Sequence, residues 1–509
     1  MKTSKILFLG FALILFSCAE LDEDAVGLLS PDGFFETVDD IQIAVNGAQT
    51  HAINEEFWGR KLSVALMLRS DMVNLQSSQQ RRVEMDLLTT TDDNEMVFDP
   101  WRRGYLGISA ANLAISGAEL VDAPNEEKNP VIAQARFHRA FYYFHFVRLF
   151  GDIPYLDETN FEDVEGAATI SSTPAAEVYQ NILADLEFAK TWLPDTQVSR
   201  AIPSKAAASS YIALVNLTMG NWEAAFNEAT EVIDNASTYG LALDSDFQTL
   251  FNANLIDGSP EPIFSLDYNA FEAPDNAYDQ TAPMTGIRGD DRNDGGGWSV
   301  AVPTLAVYES FEPGDYRRTV SFDEEASIGG EVVDFSEFTI SGHEHAANQP
   351  YIAKYTRFPG VFDRGNARAT SHNYSMIRYA EILLIAAEAA VELGNNGVAL
   401  DYINQVRERA RRGGITATGA GVTVEVLASD VPANLTGTVT IDDIMEERRI
   451  EFAFEGKRWY DIARRRMGNE VFSASGLEGE KTNFSDIDYL IPIPFDELLR
   501  NPNLSQNPF

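Results

Sequence analysis

The sequence predicts a mainly α-helical fold: one large domain in which helix pairs are scattered along the chain and long loop-rich insertions carry short strands. Three observations predict it. Apolar residues recur at three- and four-residue steps in four long segments. Two of these segments stop at a glycine and resume as a second amphipathic helix. Between those two lies a stretch rich in Gly, Pro, Asn and Asp with only brief extended runs. The 509 residues would fill about three domains at ~150 residues each, yet single domains of this size are common and bury a core unaided.

From the start of the chain, residues 1–17 have the shape of a lipoprotein signal peptide. Lys2 and Lys5 precede the apolar run from Ile6 to Phe16, and the small Ser17 precedes Cys18. That run falls short of the roughly 20 apolar residues that span a bilayer. Leu15-Phe16-Ser17-Cys18 resembles the bacterial lipobox, which implies cleavage before Cys18 and acylation of its thiol. Each buried acyl methylene contributes about 0.8 kcal/mol, so several chains hold a protein on a membrane without a spanning helix. Residues 18–30 then read as a lipidated acidic tether. Within it, Glu20-Leu21-Asp22-Glu23-Asp24 resembles the tag that directs lipoproteins of Bacteroidetes to the outer face of the outer membrane. The expected location is therefore the cell outer membrane, lipid-anchored and surface-exposed. The folded domain is expected over 31–509.

Helical periodicity is clearest at 131–149, 174–192, 203–235 and 374–411. Thr173 followed by Pro174 marks a helix start. In the last two segments a small-residue-rich helix ends at Gly220 or Gly394. Trp222, Ala225, Phe226, Ala229 and Ile233 line the second helix of one pair; Ala399, Ile403 and Val406 line that of the other. Alanine lets paired helices approach and glycine allows the tight turn. The plan resembles tetratricopeptide helix pairs, although about 140 residues separate the two, where the tandem period is roughly 34. The first insertion, about 237–373, reads as loops and short strands such as "PIFSLDY" and "YIAKYT". The second, about 412–440, is rich in Gly, Thr and Val.

Five motifs in order carry a family resemblance: "WRRGYLGISAANLAI" at 101–115, "ARFHRAFYYFHFVRLFGDIPY" at 135–155, "GGWSVAVPTLAVYESFEPGDYRRTVSF" at 296–322, "IMEERRIEFAFEGKRWYDIARR" at 444–465, and "YLIPIPFDELLRNPNLSQNP" near the end. Together they resemble the SusD/RagB family of surface glycan-binding lipoproteins of Bacteroidetes. The resemblance implies a SusD-like fold, no cofactor, and non-catalytic capture of an extracellular oligo- or polysaccharide. It also implies a partner, a SusC-like TonB-dependent outer-membrane barrel over which such a protein acts as a lid. The motifs have structural readings as well. Over 444–465 one amphipathic helix is expected, with Glu446–Arg449, Glu455–Arg458 and Asp461–Arg464 paired along its flanks and Ile450, Phe454 and Ile462 as its apolar stripe. Arg136 and Arg139 read as packing and pairing residues.

No catalytic constellation emerges, so the chain is not expected to be an enzyme. The only cysteine is Cys18, which leaves no thiol nucleophile and no internal disulfide. His343, Glu344 and His345 lack the four-residue spacing of an HExxH zinc site. "GDDRNDGGG" at 289–297 does not align with an EF-hand loop, and an irregular calcium site stays open as an alternative. With 38 basic against 78 acidic residues and a net charge of −40, nucleic acid is excluded as a general ligand, because phosphate contacts need clustered Lys and Arg. Sugar binding asks less: flat rings stack on C–H faces while polar groups take hydroxyls. Phe264, Tyr268, Phe271, Tyr278 and Trp298 lie among Asn269, Asn276, Arg288 and Asp290. Trp298 and Tyr278 are favoured because Gly, Asp and Asn surround them, with Asp290 as a hydroxyl partner. Trp101 is added because it stands at the N-terminal end of a helix after the acidic, polar loop 91–95, in a region that the resemblance places near the ligand face. Asn74 and Arg81, in the polar loop "NLQSSQQRR" at 74–82, complete the expected set. Two alternatives remain: the same role with peptide or other nutrient cargo, or a surface glycoside hydrolase, whose paired carboxylates 78 acids could always supply.

Overall fold

The computed structural model describes residues 31–509, apart from 77–78, 164–165, 167, 272–273, 294–295, 339–347, 364–367, 478–480 and 482. Cys18, the acidic tether, and His343, Glu344 and His345 lie outside the described residues. Among the described residues, eleven helices have eight residues or more: α1 Val38–Ile53, α2 Lys61–Leu68, α3 Glu95–Gly117, α4 Asn125–Phe150, α5 Ala175–Trp192, α6 Lys205–Met219, α7 Trp222–Asp234, α8 Tyr379–Glu392, α9 Asn396–Ala410, α10 Ile441–Glu451 and α11 Arg458–Arg465. No helix of the described residues is long and apolar enough to cross a membrane.

Local chemistry sets several of these boundaries. The Asn94 side chain accepts from the Met96 N–H and opens α3. Thr440 and Asp443 form a reciprocal capping box on α10. Gly220, with φ +76°, closes α6 in the left-handed conformation that spares glycine a steric penalty. The 174–192 helix begins one residue later than expected, at Ala175, because the Thr173 backbone pairs with Ile153.

The helices stack in series. α1 packs on α3, α3 on α4, α4 on α5, α5 on α6, α6 on α7, α7 on α8 and α8 on α9. The two glycine-closed pairs are thus scattered in sequence and adjacent in space. The chain leaves after α7, runs through the insertion, and returns as α8 against α7. The return is made by strand Tyr374–Arg378, which pairs antiparallel with Pro262–Leu266 across a register shift. Residues 374–378 are therefore extended, where the sequence suggested helix. Their backbone bonds to 262–266 outweigh the local helical pattern.

The 444–465 stretch differs from expectation more deeply. It is two helices, broken at 452–457, where Phe454 (φ +66°) and Gly456 (φ +70°) turn the chain. Glu446–Arg449 (2.5 Å) and Asp461–Arg464 (2.8 Å) form as expected. Glu455 and Arg458 do not meet: Glu455 binds Lys354 (2.8 Å) and Arg378 (3.0 Å), while Arg458 binds Asp71 (2.8 Å). Three-residue spacing brings side chains together only on a continuous helix, and the turn ends it.

Apart from the exposed Glu446, these charges sit inside the molecule, not along a wet flank. Arg378 Nη1 donates to Glu261 (2.6 Å) and Glu451 (2.6 Å). Arg409 Nη1 donates to Glu261 (2.7 Å) and its Nη2 to Glu451. Arg317 reaches Asp315 (2.7 Å), Glu447 (2.5 Å) and Glu451 (3.1 Å). Burial alone would raise the Glu451 carboxyl, but Arg409, Arg378 and Arg317 outweigh it and hold it well below the usual range. The network ties the insertion to α9 and α10. Arg136 and Arg139 likewise pair with Asp185 and Glu158, joining α4 to α5.

Candidate functional site

The candidate face is built where two distant loops lie side by side. Strand Val73–Leu75 pairs antiparallel with Ala301–Pro303, and the Gln76 N–H donates to the Val300 carbonyl at 2.8 Å. The polar 74–82 segment is thereby set against the loop that carries Trp298. That loop is anchored on a third segment: Trp298 N–H donates to Pro283 (2.6 Å), Ser299 to Gly286 (2.9 Å) and Val300 to Met284 (2.9 Å). Gly297 is required here, since a Cβ would lie 2.3 Å from the Ile287 carbonyl oxygen. Gly59 has the same role beside Tyr278, whose carbonyl oxygen would lie 2.4 Å from its Cβ; the Gly59 carbonyl accepts from Gln280 at 2.8 Å.

Within this frame Trp298 is half-buried and packs in part against the core. The Arg368 guanidinium stands 5.1 Å from the ring centroid, and its Nη1 donates to Gly296 at 2.8 Å. Arg288 Nη2 donates to the Trp298 carbonyl at 3.3 Å. Arg81, at the start of helix Gln80–Asp86, bonds Glu95 (2.6 Å) and Gln79 (3.0 Å). Asn74 is half-buried, and its Oδ1 is sealed from solvent with no hydrogen-bond partner among the described residues. Asn74 thus stands on the strand paired with the one that follows Trp298, and Arg81 lies in the helix after it.

Three expected residues are placed otherwise. Trp101 is 3% exposed. It lies well inside α3 and not at its first turn, stacks on Phe146 (5.6 Å) and meets Phe150 edge-on (4.7 Å). A ring so packed keeps little free face, although Trp101 is among the residues lining a cavity between α3 and the C-terminal segment. Tyr278 is 9% exposed and clusters with Ala270 and Ala369, so its ring is largely withdrawn. Asp290 is 2% exposed and is bound by Arg292, which also reaches Asp323 (2.9 Å); its carboxylate serves that pair and not a ligand hydroxyl. Phe264 and Tyr268 are core, while Phe271 is exposed.

Sequence reasoning missed Arg82 and Arg368. Arg82 lies next to a chosen residue, but its helix turns it inward. Arg368 is 70 residues from Trp298 in sequence, and only the pairing of Asp279 with Thr370 brings its strand near. The described aspartates of the 289–297 loop are engaged elsewhere: Asp290 by Arg292, and Asp291 accepts from Ser327 (2.8 Å) and Gly330 (2.8 Å). Among the described residues no group of three or more His, Asp or Glu is placed to hold a metal. The larger cavities are away from this face. One of about 320 Å³ lies between α3 and the C-terminal segment near Tyr105 and Leu504. Another of about 470 Å³ lies beside Asp71 and Arg458.

Comparison with known proteins gives consistent results. Residues 338–509 match the model of the SusD family, and residues 33–217 match a model described as starch-binding associating with outer membrane. The chain is 46% identical over 513 residues to SusD-like protein P2 of Formosa agariphila, covering 100% of this chain and 99% of that one. Among solved structures, a SusD homolog from Bacteroides thetaiotaomicron superposes with a TM-score of 0.77 at 19% identity, over 94% of this chain and 98% of its own. A laminarin-binding SusD-like protein gives 0.73 at 20% identity, over 92% and 98%.

Proposed function

The chain belongs to the SusD family, and from that membership we propose that it captures an extracellular glycan at the outer-membrane surface and cuts no bond in it. The captured glycan passes to a SusC-like TonB-dependent barrel, and acyl groups on Cys18 hold the protein at the membrane. The observation that carries this reading is the half-buried Trp298, with the Arg368 guanidinium over its ring and Arg288 on its carbonyl, where the 74–82 segment meets the strand Ala301–Pro303 that follows it. An aromatic face takes the C–H surface of a sugar ring, and N–H donors fixed beside it take hydroxyls. The matching model's description as starch-binding and the similar structure's as laminarin-binding support a polysaccharide cargo.

The reading is tested by affinity electrophoresis of the full-length protein through gels containing soluble polysaccharides, laminarin and starch among them. Retardation by at least one polymer is expected, with recovery of that polymer at undiminished chain length. Trp298→Ala should weaken retardation about tenfold or more at unchanged melting temperature. Release of shorter saccharides, or no retardation by any glycan, would overturn the proposal.

A further inference from the structure

In a chain with twice as many acids as bases, the Trp298 face gathers cations. Arg60, Arg81 and Arg82 form one close group, whose Arg82 reaches Met284 in the segment that anchors the Trp298 loop; Arg288 and Arg368 form another, at Trp298 itself. Two of the first group are balanced: Arg60 pairs with Glu55 (2.6 Å) and Arg81 with Glu95 (2.6 Å). Arg82 is not. It is 8% exposed, and its hydrogen bond runs from Nη2 to the sulfur of Met284 at 3.6 Å, a weak acceptor. Its other N–H groups have no hydrogen-bond partner among the described residues. Met284 is the residue whose carbonyl accepts from Val300, two residues from Trp298. Burial, with Arg81 and Arg60 close by, holds the Arg82 guanidinium down to about 10, so it stays charged at neutral pH without a counter-charge.

A buried cation facing other cations is costly unless something completes it. A neutral hydroxyl satisfies one N–H. An oxyanion satisfies the fork and the charge together, because two of its oxygens match two parallel N–H groups. We propose that Arg82 reads a negatively charged group on the glycan, the carboxylate of a uronic acid or a sulfate ester, while the Trp298 ring takes the sugar face next to it. This rests on the capture reading above and narrows its substrate class to acidic polysaccharides. Arg82 is then the residue that sets specificity, and Arg81 and Arg60 supply a local positive field that the net charge of −40 conceals.

The test uses the full-length protein and a polysaccharide bearing both glucuronate and sulfate, alongside its desulfated form, its carboxyl-reduced form and the form treated both ways. Binding is measured by titration calorimetry at low and at moderate salt. The native polymer should bind about tenfold or more tightly than the doubly treated one, with the advantage shrinking as salt rises. Whichever single treatment abolishes the advantage identifies the group read. In Arg82→Gln the native and doubly treated polymers should bind alike, and Arg82→Lys should recover part of the difference. Should Arg82→Gln fail to fold, the unmodified protein against the four polymers still decides. Equal binding of all four overturns the acidic-ligand assignment and leaves glycan capture standing. Failure to bind any of them, with laminarin and starch also unbound, removes the capture reading itself.

Discussion

At the scale of single residues, buried charge and buried imidazole dominate the predictions. Arg378 is shared by Glu261, Glu451 and Glu455 inside the core. Replacing it with methionine leaves three buried carboxylates with fewer cations, and removing one partner of a buried pair costs about 3–5 kcal/mol. Arg378→Met should therefore lower the unfolding midpoint in denaturant sharply, while the exposed Glu408–Arg412 pair can be broken by Arg412→Ala with little effect. His138 offers a pH signature. It is buried against Phe137 and Phe264 with its Nδ1 unpartnered among the described residues, and burial pushes its imidazole down to about 4. Between pH 6.5 and 4 the unfolded chain binds a proton there that the folded chain refuses, so stability is lost as pH falls through that window. Carboxyls raised by burial act the other way; Asp267 stands at about 6. The clean measurement is thus a difference: in His138→Phe the loss of stability from pH 6.5 to 4 should be shallower than in the parent, by an amount on the order of 3 kcal/mol. Parallel stability curves for the two proteins would contradict the assignment. Of the expected site residues, Trp298 is half-buried in a stretch of polar and glycine neighbours. Trp101 misled because the same sequence cue, a ring next to a polar loop, says nothing of which way a helix turns it.

At the scale of elements, α3 and α4 approach so closely that glycine is part of the interface. A Cβ on Gly107 would lie 2.3 Å from the Tyr142 ring, and one on Gly104 the same distance from Phe146. Gly107→Ala should cost about 1–3 kcal/mol through overpacking. Gly397, in the first turn of α9, meets nothing within 4 Å. Gly397→Ala should be neutral or stabilise by up to about 1 kcal/mol, as a helical glycine does when replaced. Paired thermal melts of the two variants check both signs. Helix existence was readable wherever apolar residues kept a 3.6 period, and glycine ends were readable at Gly220 and Gly394. The break between α10 and α11 was not. Phe454 adopts a left-handed conformation that no local pattern announces, and Glu455 is held there by partners on Lys354 and Arg378, about 80–100 residues away in the chain.

At the scale of the whole molecule, the insertion and the helical stack form one cooperative unit. α7 meets α8 across the excursion, strand Pro262–Leu266 pairs with Tyr374–Arg378, and the ion network joins Glu261, Arg317, Lys354, Arg378 and Arg409 to Glu451 and Glu455. The last residues are strapped to α4, where Ile491 N–H donates to Leu149 (2.8 Å) and Asn507 Nδ2 to Phe150 (2.8 Å). Unfolding should accordingly give a single calorimetric transition, with helical and aromatic circular dichroism signals lost together. A resolved early transition confined to the aromatic signal would mean that the insertion melts on its own.

What the sequence by itself determined is the helical class, the paired helices and the family. These depend on periodicity and on ordered motifs, which are properties of near neighbours in the chain. The tertiary structure alone decided that the scattered pairs stack, that Trp101 and Asp290 turn inward, and that Arg82 stands without a counter-charge. Burial and charge pairing depend on residues dozens to hundreds of positions apart, and no local pattern encodes which distant side chain arrives to cover a ring or to neutralise a cation.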